Sequence, residues 1–274
     1  MSAQQAFGGI WTVQKLNAVE DYLKFYMSVL KNQPFKLCYI DGFSGSGNVL
    51  LKDGQVVDGS ALRALKYQFD YYYFFEKNEK HYNALSGKIK ESYSHKMDKI
   101  EISNRDCNDF LQKIDQHQWF SNLWRGVIFL DPCAMDLDWS CLEKISQTEA
   151  FDVWYLFPFS AVTRNLPNSG NIKPANAKKL TRVLGSSDWE KHIYEESMQQ
   201  TLFAEPDLIK IPDGLTNYIL SRLNETFPTV AQNPALLRNE KNSSLFLLCF
   251  TGSNPSEKAK ARALAGANHI LKNI

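Results

Sequence analysis

Five short apolar runs alternate with helical stretches between residues 35 and 159, and this rhythm constrains the fold more than any other feature. The runs are "FKLCYI", "YYYFFE", "DKIEISNRD", "GVIFLDPCAM" and "FDVWYLFPF". They are rich in aromatic and β-branched residues, which favour strands. Most are continuously apolar rather than alternating, the pattern of strands covered on both faces. The segments between them, such as "KNEKHYNALSGKIKESY" and "CNDFLQKIDQH", read as helices. Strand–helix alternation of this kind predicts an α/β, doubly wound, mostly parallel sheet joined by right-handed crossovers.

The flanks extend the pattern. Leu16, Val19, Leu23, Tyr26, Met27 and Leu30 recur at helical spacing, which predicts a helix from Thr12 to Leu30 that Pro34 ends. "DGSALRALKYQF" predicts a helix capped by Ser60, and "DWSCLEKISQ" one capped by Asp138. After the fifth run the rhythm breaks. Residues 160–211 mix short helical pieces with Pro, Asn, Gly and Ser, too long a stretch for a plain connection. We expect a single domain over residues 1–274 that carries an inserted substrate or lid region at 160–211. "DGLTNYILSRLNETF" restores a helix, and "PALLRNEKNSSLFLLCFTGS" reads as two strands around a polar turn. A helix closes the chain, with Pro255 near its first turn.

Charge narrows the function classes. The 31 basic and 30 acidic residues leave no global excess that would favour nucleic acid. A local basic group, Lys173, Lys178, Lys179 and Arg182, reads either as a backbone-binding face or as a solvated one. No apolar run approaches the roughly 20 residues that cross a bilayer, and "MSAQQAFGGIW" lacks a signal-peptide pattern. Five widely spaced cysteines without a CxxC pair argue against a disulfide framework or zinc site and point to a reducing, cytoplasmic setting. The five histidines are scattered, so no metal site is expected.

The chemistry sits where strands end. "YIDGFSGSGNVL" runs from a strand into Asp41, Gly42, Phe43, Gly45 and Gly47. Such a loop is a tight turn, a phosphate cradle, or a seat for an adenosine-type cofactor without phosphates. The phosphate loop GxxxxGK[ST] fails, because Asn48 and Val49 stand where Lys and Ser/Thr are required, and GxGxxG is not met either. Glu76 closes the second run, where an acid can accept hydrogen bonds from both ribose hydroxyls. Asp106 follows the third run; it suits an adenine amino group, with Cys107 offering its N–H, and it equally suits a helix cap. Asp131 and Pro132 end the fourth run and suit the transfer point, as they would a simple turn. Turn formation explains each acid singly but does not explain four acids at four successive strand ends. Phe159 and Arg164, after the fifth run, are candidate substrate contacts. Trp11, Thr12 and Lys15 are candidates to close over the cofactor, with a hydrophobic staple as the structural reading of Trp11.

These motifs resemble those of the class I S-adenosylmethionine-dependent methyltransferases, with a Rossmann-like, seven-stranded sheet whose last strand is antiparallel. The likeness is closer to the three-Cys-motif partner protein (TcmP) family, on "WTVQKLNAVEDYL", "YIDGFSGSG", "DGSALRAL", "FFEKN" and "FLDPCAMDLDW". It covers roughly residues 10 to 160. It implies S-adenosyl-L-methionine as cofactor, held at its methionine part by the Gly42–Gly47 backbone, at ribose by Glu76 and at adenine by Asp106 and Cys107. Asp131 and Pro132 would then face the acceptor, with an amino group of nucleic acid as one candidate. The family name also implies a partner protein from a neighbouring gene, and a partner-dependent binding subunit is the alternative to an enzyme. Two departures stand out. Cys133 and Ala134 follow Asp131-Pro132 where amino-group methyltransferases of nucleic acids often carry a second Pro and a stacking ring, a part that Phe157, Phe159 or Trp139 would have to take. "NVLLKDGQVVDG" separates the glycine loop from its helix.

Overall fold

A computed structural model describes residues 5–196 and 208–274. The apolar runs become strands β1 (Lys36–Asp41), β2 (Tyr71–Phe75), β3 (Ile100–Ser103), β4 (Trp124–Leu130) and β5 (Phe151–Phe157). Three further strands, β6 (Thr229–Val230), β7 (Ala235–Arg238) and β8 (Ser244–Gly252), complete the sheet. Its order is β3-β2-β1-β4-β5-β8, with β6 and β7 both paired to the outer edge of β8. The first five strands are parallel, and β8 runs antiparallel to β5. The two short edge strands share one position, so the sheet has the seven positions and antiparallel last long strand of the methyltransferase-like arrangement.

Helices cover both faces. On one lie α1 (Ile10–Leu30), α2 (Ser60–Ala64), α3 (Glu79–Ser92) and α10 (Glu257–Lys272). They enclose Tyr22, Tyr39, Tyr72, Phe74, Trp154 and Phe250. On the other lie α4 (Cys107–Leu111), α5 (Trp139–Ser146), α7 (Pro174–Leu184), α8 (Trp189–Ile193) and α9 (Gly214–Thr226). They enclose Phe75, Trp119, Trp139, Phe151 and Phe157. In β1, Leu37 and Tyr39 face the first layer while Cys38 and Ile40 face the second. Both sides of the strand are therefore apolar, which is why its sequence does not alternate.

Several local expectations change. Gly59, not Ser60, is the N-cap of α2. Asp138 does cap α5 by position, but its carboxylate accepts Arg182 instead of a backbone N–H. Pro255 stands near the first turn of α10 as expected, just before its N-cap Ser256. "NVLLKDGQVVDG" is a hairpin, Asn48–Leu51 paired with Val56–Asp58, and Gln5–Gly8 joins it as a third strand. Of the insert, residues 160–196 include most of α6 (Phe159–Thr163), α7 and α8. Leu180, Val183, Leu184, Trp189 and Ile193 pack into the second core, so this part thickens the helical layer. Residues 197–207 of the insert lie outside the described residues. No described helix is long and apolar enough to cross a membrane.

Gly126 shows how tightly the central pair is built. A Cβ there would lie 2.6 Å from the Cys38 carbonyl oxygen and 2.7 Å from the Phe151 ring. Gly126→Ala should therefore destabilise the chain by about 1–3 kcal/mol, read as a lower midpoint in urea with unchanged slope.

Candidate functional site

The parallel register puts the strand ends level. Asp41 lies beside Phe74 of β2 and Phe129 of β4, so Glu76 and Asp131 each follow two residues beyond the matching position. The glycine loop leaves β1 pinned to both neighbours: the Gly42 N–H donates to the Phe129 carbonyl (3.0 Å) and the Ser44 N–H to the Phe75 carbonyl (2.9 Å). Gly45 and Gly47 adopt left-handed φ values of 61° and 84°, which only glycine reaches without strain. Gly42 is required for a different reason: a Cβ would lie 2.8 Å from Leu130 and 3.3 Å from the Cys107 sulfur.

Glu76 completes the loop. Its Oε2 accepts the Gly45 N–H (2.9 Å) and its Oε1 accepts the Asn78 N–H (2.7 Å). Two backbone donors fix the carboxylate while each oxygen keeps a lone pair for a further donor. Asp106 caps α4, with Oδ1 accepting the Asn108 N–H (3.0 Å) and its side-chain amide (2.7 Å). Asn108 also donates to the Asp136 carbonyl (2.8 Å) and accepts the Asp138 N–H (3.0 Å). One side chain thus ties the end of β3 to the loop after β4. Asp131 is ion-paired with Lys15 of α1, whose ammonium also lies 5.7 Å from the Phe246 ring. Further along that loop Ala134 has a φ of 57°, an uncommon conformation for a residue with a side chain. Arg182 of α7 donates to the Asp138 carboxylate (2.6 Å) and the Met135 carbonyl (2.7 Å), and Lys77 pairs with Asp136 at 2.8 Å.

Between these elements lies a cavity of about 390 Å³. Gly42, Phe43 and Gly47 line it from the loop, Glu76 from the end of β2, Asp106 and Cys107 from the end of β3, and Asp131 from the end of β4. Trp11, Thr12 and Lys15 close it from α1. Trp11 is already inside the helix, and its ring lies 5.4 Å from the Lys52 ammonium, so it is cavity wall rather than staple. The remaining candidates stand elsewhere. Gly45 is not on the wall and acts on Glu76 instead. Pro132 is also off the wall; Phe159 packs against the second core and Arg164 is exposed, both beyond the end of β5. Asp41 is fully buried behind the loop. Its Oδ1 accepts the Phe43 N–H at 3.2 Å, and its Oδ2 has no partner. Burial pushes its pKa up to about 7, against the nearby Ser60 hydroxyl and the Phe43 N–H, with the charges of Asp131 and Glu76 adding to the rise.

Cys133 is exposed and lines the cavity, whereas the other four cysteines are buried. Nothing in the sequence marks Asn108 as a link. Lys15 is among the residues expected to close over the cofactor, but nothing in the sequence pairs it with Asp131. No group of His, Cys, Asp or Glu among the described residues could hold a metal ion.

No protein-family model matches the sequence, and no curated protein matches it either. Solved structures do. Protein LPL1258 from Legionella pneumophila is 13% identical over 96% of this chain and 93% of its own, with a TM-score of 0.53. Spermidine synthase from Thermotoga maritima is 9% identical over 90% of this chain and 61% of its own, with a TM-score of 0.43. The N-terminal domain of EvdMO1, solved with S-adenosylhomocysteine and D-fucose, is 7% identical over 85% of this chain and 81% of its own, with a TM-score of 0.38. At 13% identity the likeness to LPL1258 is one of fold alone.

Asp41 generates a pH prediction. A carboxyl whose folded pKa is raised holds a proton that the unfolded chain has released, so stability falls as pH rises between the two values. The penalty is absent below about pH 4, where both states are protonated, and is complete above about pH 7, with an upper bound of about 4 kcal/mol. Asp41→Asn should remove it. In urea titrations the variant should gain stability over the parent between pH 5 and pH 8; a constant gap across that range would refute the assignment.

Proposed function

We propose that the chain is an S-adenosylmethionine-dependent methyltransferase of the three-Cys-motif partner protein type. The observation that carries this reading is the meeting of the glycine loop, Glu76, Asp106 with Cys107, and Asp131 around one cavity at the carboxyl ends of the parallel strands, where open α/β sheets bind their ligands. The volume lies within the usual range for small-molecule sites, roughly 300–1,000 Å³. The donor set suits an adenosine without phosphates. Lys15, Lys77 and Arg105 on the wall are each already paired, with Asp131, Asp136 and Glu101. Glu76 presents acceptors to a ribose diol, and Asp106 an acceptor to an adenine amino group.

When bound, the cofactor supplies a methyl group already activated on a sulfonium. The residues of the chain then have three tasks. Gly42 lets the backbone approach the cofactor, while Glu76 and Asp106 hold ribose and adenine. The α1 roof, with Trp11 and Thr12, excludes water. Asp131 offers an acceptor to an amino group, and its carboxylate stabilises the positive charge that develops on nitrogen. Holding the reactants in line can supply about 7–11 kcal/mol of such a barrier. An amino group of nucleic acid is the acceptor we favour, with the exposed Arg164, Lys178 and Lys179 available to phosphate.

One observation favours a second reading, a cofactor-binding subunit that depends on a partner protein for catalysis. The Lys15 ammonium neutralises the carboxylate that would face the acceptor. A partner that draws Lys15 away would free Asp131.

Calorimetric titration with S-adenosylhomocysteine tests the cofactor, and incubation with labelled cofactor and fractionated RNA, DNA and protein tests the acceptor. Glu76→Ala should weaken S-adenosylhomocysteine about 10- to 100-fold, the value of one or two hydrogen bonds to a charged group. Asp131→Asn should bind it within roughly threefold of the parent yet transfer no methyl, the signature of an interaction made only in the transition state. Equal loss of binding and turnover would refute that division of roles. A Lys15→Met protein that gains activity without a partner would favour the second reading.

A further inference from the structure

At the opposite edge of the sheet, where β4 and β5 begin, a second cavity of about 320 Å³ opens between the C-terminal half of α1 and the start of α10. The proposed methyl transfer makes no use of it. Its floor holds Asp152, the second residue of β5. Oδ2 of Asp152 accepts the Tyr22 hydroxyl at 2.7 Å. Among the described residues no cation pairs with this carboxylate, and Oδ1 accepts no hydrogen bond from another side chain. Space for it comes from Gly252 on β8, where a Cβ would lie 3.0 Å from Oδ1. Beside it the Tyr26 hydroxyl, also on the cavity wall, has no hydrogen-bond partner among the described residues. Burial first and the Asp152 charge second push the Tyr26 pKa up, and burial pushes Asp152 up to about 6. A half-buried carboxylate without a cation is costly, and here it lines open space.

The rest of the wall carries the opposite charge. The Arg125 guanidinium, nine-tenths buried, stacks 4.5 Å from the Phe35 ring and 4.1 Å from the Phe120 ring. Lys258 and Arg262 of α10 are exposed at the rim. Phe25, Phe35 and Phe120 supply apolar wall. A simple amine would satisfy Asp152 but meet three cations on the way in. A simple anion would satisfy the rim and leave the floor unpaired. We propose that this cavity binds a small zwitterion of the α-amino-acid class with an aromatic or long aliphatic side chain, its ammonium on Asp152 and Tyr26 and its carboxylate towards Arg125, Lys258 and Arg262.

The test uses the full chain and thermal melting with three probes: L-phenylalanine, phenethylamine and 3-phenylpropanoate. L-Phenylalanine should raise the melting temperature in proportion to the logarithm of its concentration, and each half-ligand should do so far less. Asp152→Asn keeps an acceptor for Tyr22 yet should lose at least about tenfold in affinity, the loss of a charged hydrogen bond. Arg262→Glu should weaken L-phenylalanine and strengthen phenethylamine. Should Asp152→Asn fail to fold, Tyr26→Phe replaces it, with weaker binding again expected. Binding of S-adenosylhomocysteine should be unchanged in every variant, which separates this site from the first. The proposal is overturned if none of the twenty L-amino acids stabilises the parent at millimolar concentration. It is also overturned if 3-phenylpropanoate matches L-phenylalanine, or if binding survives both floor substitutions.

Discussion

Parallel pairing of β1 with β2 and β4 is the constraint on which the rest of the structure depends. Parallel neighbours that share a register must end at the same level. Residues just past those ends must then share a rim, whatever their distance along the chain. Asp41, Glu76 and Asp131 come together in this way across 90 residues, counting from 41 to 131. The loop is pinned by the same pairing, because its first N–H groups complete the ladders of β2 and β4. A slip of β1 by one residue would exchange its two faces, sending Tyr39 and Cys38 to the wrong layers. The apolar cores on both faces therefore hold the rim in place.

Within the rim the acids divide the work by environment. Glu76 is gripped by two N–H groups and stays on the cavity wall. Asp41 lies behind the loop with one oxygen unpartnered, a destabilising arrangement that the surrounding packing must offset. Asp106 serves first as a helix cap, and the Asn108 that it holds reaches across to the loop after β4. Asp131 is tied to Lys15. The ends of β3 and β4 are thus joined by hydrogen bonds as well as by the sheet, and the end of β4 is joined to α1.

Helix α1 serves both edges of the molecule. At 21 residues it is about 30 Å long, enough to pass from one end of the strands to the other. Its first turns close the cavity at the carboxyl ends, and Tyr22, Phe25 and Tyr26 wall the cavity at the opposite edge. Charge differs between the two cavities. The first sets paired cations against acids at strand ends; the second sets a carboxylate without a cation at its floor beneath three cations.

Local pattern was enough for the strands and most helices, because continuous apolar runs and 3.6-residue periodicity are properties of consecutive residues. It was enough also for the left-handed turns at Gly45 and Gly47, since only glycine takes those angles freely, and for the acids as a set, one per strand end. It did not reveal that "NVLLKDGQVVDG" folds into a hairpin joined by Gln5–Gly8, because that sheet is closed by a strand some forty residues away. Nor did it separate Asp41 from the other acids: side-chain direction at a strand end depends on the loop that follows, and here Phe43 turns Asp41 inward. Nor does it place Phe159 and Arg164, which α6 carries past the end of β5 and off the cavity wall. By itself, then, the sequence determined the layered α/β fold and the level at which its chemistry sits. Only the tertiary structure decided which acids face the cavity, that Lys15 meets Asp131, and that Asp152 lines a second cavity without a cation, because each depends on side chains brought together from distant segments.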